Sequence, residues 1–137
     1  MQKTGSRAKK PVKAKESEAL SRAIAEGMSE KKGLDIAIID LRGIKGTIAD
    51  FFVLCTGNSD THVDALADSI EDLVYKRMKL DPWHTEGKQN KEWILLDYVD
   101  VVANVFKRDS RRFYSLEQLW GDAVITWMDP DNDRAEQ

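Results

Sequence analysis

The chain has 137 residues, 42% hydrophobic and 33% charged, a balance that fits one globular domain with its own core. No stretch reaches the roughly 18 apolar residues of a membrane helix, and no apolar export signal opens the chain. Six of the 21 basic residues fall within residues 1–15, which carry no acid, leaving 15 basic against 24 acidic residues in the remainder. Such a body repels a phosphate backbone and attracts a basic protein.

Residues 1–15 are polar and aperiodic and are expected to form a disordered basic arm. An inert tail and a contact with RNA are both open readings of it. A helix is predicted from about Ser17 to Lys32, with Ser17 as its cap, Leu20, Ile24 and Met28 as its apolar stripe, and Gly33 as its left-handed stop. Asp35–Leu41 and Phe51–Thr56 are nearly continuous apolar runs, as in strands buried on both faces. Between Ser59 and about Lys79 a second helix is predicted. Its apolar face is Val63, Leu66, Ala67, Ile70, Leu73 and Val74, whose burial contributes about 10 kcal/mol gross, mostly cancelled by chain entropy. Asp81-Pro82 ends it. Further strands are predicted at Trp83–Glu86, Trp93–Asp97 and Asp100–Phe106, the last two as a hairpin. A short helix follows at Leu116–Trp120, and a polar tail covers the C-terminal residues from 128. This order predicts an α/β fold: one mixed sheet of about five strands covered by helices.

Few residue groups suggest catalysis. Gly57-Asn58-Ser59 joins a strand to a helix but lacks the multiple glycines or the lysine of a nucleotide-binding loop. Asp97 and Asp100 stand three apart at a hairpin tip, whereas paired metal-binding carboxylates on a strand alternate. Their expected role is turn chemistry with a partner contact. Asp60, Asp64, Asp68 and Asp72 recur along the second helix as a solvated face or an acidic stripe for a basic partner. His62 and His84 are expected at surface or capping positions, and Cys55 in the core. One cysteine permits no intramolecular disulfide, and with two histidines it is a poor metal set, so no catalytic residue, metal or cofactor is expected.

Trp93-Ile-Leu-Leu-Asp-Tyr98 is more informative. Alternation puts Trp93, Leu95 and Asp97 on one face and Ile94, Leu96 and Tyr98 on the other. Which face is outside stays open at this level. Tyr114, Trp120 and Trp127 add aromatic groups of the kind that anchor interfaces.

Several strings resemble the ribosomal silencing factors, the Iojap or RsfS family. They are Ala49–Asp60 (ADFFVLCTGNSD), Glu92–Tyr98 (EWILLDY), Asp100-Val101-Val102 and Arg112–Asp122 (RFYSLEQLWGD); the Asp35–Arg42 strand fits as well. The resemblance spans roughly residues 18–123 and defines the domain as 16–127. It implies a nucleotidyltransferase-like fold without transferase activity. It also implies docking on large-subunit ribosomal protein fourteen, which sterically blocks small-subunit joining and lowers translation when nutrients are short. The implied docking residues are Trp93, Leu95, Leu96, Asp97, Tyr98, Asp100, Tyr114 and Trp120. The cytoplasm is the expected compartment, with no membrane contact. A homodimer off the ribosome and an rRNA contact through the arm are further expectations. The alternatives are an active transferase of that fold and an assembly factor without silencing activity. The chain departs from the family pattern at Val99, where Gly is common, at Asn104, where His is frequent, and in its Asp-rich second helix.

Overall fold

A computed structural model describes residues 14–111 and 123–128. Its elements in chain order are α1 (Ala14–Glu30), β1 (Leu34–Asp40), β2 (Phe51–Gly57), α2 (Asp60–Met78), β3 (His84–Glu86), β4 (Trp93–Asp97), β5 (Val101–Lys107), α3 (Arg108–Arg111) and β6 (Val124–Met128). The strands form a single mixed sheet in the order β3-β4-β5-β2-β1-β6. Only the β2–β5 pair is parallel; the other four pairs are antiparallel.

The sheet has six strands rather than about five. The additional strand, β6, pairs along β1 from Asp40↔Val124 to Ile36↔Met128. It escapes a pattern-based reading because it is apolar on both faces without being buried: Val124 is 67% exposed and Trp127 52%. Met128, assigned by sequence to the tail, closes this strand. Residues 1–13, 112–122 and 129–137 lie outside the described residues. They include most of the arm and tail, the helix expected at 116–120, and the site candidates Tyr114 and Trp120.

Helix α1 begins at Ala14, inside the stretch read as an arm, so Ser17 is not its cap. Ser17 is buried within the helix instead, as is Ser21, whose hydroxyl donates to the Glu18 carbonyl at 2.7 Å. The helix also stops two residues earlier than predicted. Lys32 takes the left-handed conformation (φ 59°), its N–H donates to Ser29 O at 2.9 Å, and Gly33 N–H donates to Met28 O at 2.8 Å. This is the Schellman arrangement, in which the residue after the left-handed one closes the outer bond. Gly33 is needed there for space: a Cβ would lie 3.2–3.3 Å from Leu66 and Cys55.

Helix α2 follows its sequence signals closely. Ser59 Oγ caps it by accepting from His62 N–H at 3.1 Å, and Lys79 ends it in the left-handed conformation. All six predicted apolar side chains are buried. Both long helices pack on the same face of the sheet, over Ile36, Ile38, Val53, Cys55, Ile94, Leu96 and Val105. Ser69 Oγ ties the two helices together by donating to Gly27 O at 2.7 Å. The opposite face carries a smaller cluster of Ala37, Ile39, Leu41, Leu54 and Phe106, with Phe52, Trp93 and Ile125 packed at its margin.

Candidate functional site

The β4–β5 hairpin lies towards one edge of the sheet, with β3 alone between it and that edge and β2 on its inner side. The structure settles which side of it is outside. Exposure along Trp93–Asp97 alternates: Ile94 and Leu96 are fully buried beneath the helices, while Trp93, Leu95 and Asp97 are partly exposed on the other face. Of the eight candidate docking residues, Leu96 and Tyr98 therefore belong to the core, because two helices stacked on one face leave their side of β4 no access to solvent. Trp93, Leu95 and Asp97 form one surface row, and Asp100 is partly exposed at the tip.

The tip is tightly bonded. Tyr98 N–H donates to Val101 O at 2.9 Å, and Asp100 N–H donates to Tyr98 O at 3.0 Å across Val99. That i to i+2 bond belongs to a γ-type turn, in its rarer form with a positive φ, 78° at Val99. Asp97 Oδ1 accepts from Val99 N–H at 2.8 Å, the turn chemistry expected of it. On one side, the Asp97 carbonyl accepts from Trp83 N–H at 2.7 Å. On the other, the Asp100 carbonyl accepts from Asp50 N–H at 2.6 Å. The carbonyls of both acidic residues thus hold the tip to the neighbouring chain.

Below the tip, Trp93 is held in the sheet by two contacts. Its indole N–H donates to Asn104 Oδ1 at 2.9 Å, and its ring stacks on Phe106 with centroids 5.1 Å apart. Gly87, at φ 88°, lets the β3–β4 turn lie against this point; a Cβ there would come within 2.0 Å of the Trp93 carbonyl oxygen. Tyr98 faces the helices, 5% exposed, and its hydroxyl has no hydrogen-bond partner among the described residues. Burial pushes this phenol well above its ordinary range, and the carboxylates of Glu71 and Asp81 add to the shift.

Sequence reasoning missed Trp83 as a surface residue. It is 62% exposed and joined to the hairpin tip through its backbone. An isolated Trp directly after Asp81-Pro82, with no alternating neighbours, is the signal that was available. On the open face His84 lies opposite Asp97 and Glu86 opposite Leu95, and His84 Nε2 is 2.8 Å from Glu86 Oε2.

The remaining candidates serve structure. The Gly57-Asn58-Ser59 turn is closed internally: Asn58 N–H donates to His62 Nδ1 at 2.9 Å, and Asn58 Oδ1 accepts from Arg108 Nη2 at 2.7 Å. His62 Nε2–H reaches Lys31 O at 2.8 Å, so this histidine joins the end of α1 to the start of α2. Half of the acidic row on α2 is paired within the chain, Asp60 with Lys107 at 3.0 Å and Asp64 with Lys91 at 3.5 Å. The hydrogen bond to Asp60 raises the pKa of Lys107. Cys55 is buried in the core. Among the described residues no group of three His, Cys, Asp or Glu is placed to hold a metal, and no helix is long and apolar enough to cross a membrane. One cleft of about 570 Å³ lies between Asp40, Arg42, Lys45 and Val124. Another of about 410 Å³ lies between α1 and α2, where its one hydroxyl, Ser69, is committed to Gly27.

Comparison with known proteins agrees with this arrangement. The chain is 39% identical over 105 residues to the ribosomal silencing factor RsfS of Bacillus subtilis, covering 77% of this chain and 87% of that protein. A mouse protein named for mitochondrial assembly of the large ribosomal subunit is 32% identical over 74 residues, 52% of this chain and 32% of that one. A crystal structure of a Chromobacterium violaceum protein superposes with a TM-score of 0.71 at 31% identity, covering 76% of this chain and 85% of that one. The family described as "Ribosomal silencing factor during starvation" matches residues 14–137, which takes in every described element from α1 to β6, and the chain belongs to that family.

Proposed function

We propose that this chain docks on the large ribosomal subunit through the open face of the β4–β5 hairpin and so keeps the small subunit from joining. The observation that carries the reading is the row Trp93, Leu95 and Asp97, partly exposed on a rigid strand with Asp100 at its tip. Aromatic and aliphatic groups held on a strand, ringed by carboxylates, suit a basic protein surface, and the acidic body would speed the encounter. Large-subunit protein fourteen is the proposed contact. The action is binding without catalysis, it takes place in the cytoplasm, and it lowers translation under nutrient limitation. Residues 1–15 are proposed to touch rRNA. The mouse relative's name favours a second reading, in which the same contact serves assembly of the large subunit.

Sucrose-gradient sedimentation with purified subunits tests the proposal. The protein is expected to travel with large subunits and to deplete joined ribosomes, and Leu95→Lys with Asp100→Lys is expected to weaken both effects. Unchanged co-sedimentation in a folded double variant refutes docking by this face. Binding without any loss of joined ribosomes favours the assembly reading.

A further inference from the structure

Asn104 is 1% exposed and sits in the middle of β5 opposite Leu95; its strand neighbours Ala103 and Val105 face the helices, so its own side chain lies on the other face with Phe106 and Trp93. A buried amide is unfavourable unless its polar atoms are bonded, and an aliphatic side chain of similar size would fill the same space. The amide is bonded on both sides. Its Oδ1 accepts the Trp93 indole N–H at 2.9 Å, and its Nδ2 donates to Val102 O at 3.3 Å. Phe106, two residues on, stacks against the same indole.

We propose that Asn104 is a positioning residue for docking: it locks the Trp93 ring in one orientation on the open face and withdraws the indole N–H from the partner. The inference rests on the docking reading above. Two contacts in different directions, a hydrogen bond at the ring edge and a stack on the ring face, leave the indole little freedom to turn. With its N–H directed into the sheet, Trp93 offers the partner ring surface only. The complementary group is therefore aliphatic or cationic and need not be a hydrogen-bond acceptor. An aliphatic residue at 104 would strand the N–H and release the ring.

The test is a double-mutant cycle read by co-sedimentation with large subunits, with folding followed by thermal melting. Trp93→Phe keeps a ring but has no N–H to satisfy; as a docking residue it loses binding of its own, and its level is the reference for the cycle. Asn104→Leu should weaken binding about tenfold, and the combination Trp93→Phe with Asn104→Leu should return it to the Trp93→Phe level. A purely structural role for Asn104 gives no such recovery, and additive losses overturn the proposal. If Asn104→Leu does not fold, the unaltered protein still decides. The Trp93 indole N–H, assigned by its absence from the nitrogen-15 spectrum of Trp93→Phe, should exchange slowly with solvent, and rapid exchange overturns the proposal. If Leu95→Lys with Asp100→Lys leaves binding intact, the docking reading fails and takes this inference with it. If that variant loses binding while Asn104→Leu keeps it, the positioning role alone fails.

Discussion

Val99 is the residue whose replacement is most clearly prescribed by the backbone. Its φ of 78° lies in the left-handed region, and it is a β-branched residue. An ordinary L-residue is disfavoured there by about 1–2 kcal/mol relative to right-handed backbone. Glycine escapes that strain but gives up about 0.5–1 kcal/mol through the entropy of its unfolded chain. Comparing Val99→Gly with Val99→Ala removes the side chain's own contacts from the question, since both variants lose them. At a normal position Ala is the more stable of the two. Here Gly should exceed Ala by about 0.5–1 kcal/mol. With a urea slope of about 2 kcal/mol/M, the Gly midpoint should lie about 0.4 M above the Ala midpoint. Val99→Asn should fall between them, because Asn tolerates this conformation. Equal midpoints, or a higher one for Ala, would refute a strained tip.

Three further outcomes are expected. Asp97→Ala removes the acceptor of the Val99 N–H and should lower stability by about 1 kcal/mol in urea titration, with Asp97→Asn recovering most of it. His62→Ala removes the ring that accepts from Asn58 N–H within the β2–α2 turn and reaches Lys31 O at the end of α1. It should cost about 1–2 kcal/mol by the same measurement and speed amide exchange at Asn58. Tyr98→Phe removes a buried hydroxyl and should leave neutral-pH stability unchanged or raise it by up to about 1 kcal/mol. Because the folded phenol titrates above its unfolded value of about 10, the folded state holds the proton longer, and stability falls as pH rises past that value. Melting curves of the parent should therefore drop more steeply above that pH than those of Tyr98→Phe.

The parts of the fold legible in the sequence are those where a local pattern and a buried face coincide. The six apolar residues of α2 and the runs of β1 and β2 are all core. Ser59 caps α2 because nothing else claims its hydroxyl. Ser17 looks equally suited to a cap, yet three residues of good helix formers extend α1 past it and packing buries it. Lys32 rather than Gly33 takes the left-handed position, and Gly33 sits where a Cβ would crowd Leu66 and Cys55. Alternation separated Trp93, Leu95 and Asp97 from Ile94, Leu96 and Tyr98. It could not choose the outer set, because that depends on two helices sharing one face. Val99 and Asn104, where the resemblance leads one to expect Gly and His, respectively carry the positive φ and hold Trp93.

The position of β6 has a consequence for how the chain is made. Asp40 and Val124 are 84 residues apart in sequence and adjacent in the sheet. At synthesis rates of about 5–20 residues per second, roughly 4–17 s pass between translation of one and of the other. During that interval β1 has an open backbone edge beside a row of isoleucines, the kind of template on which unwanted strand pairing begins. The last described strand to emerge is the one that closes it, so slow or interrupted elongation lengthens the window in which nascent chains can pair with one another.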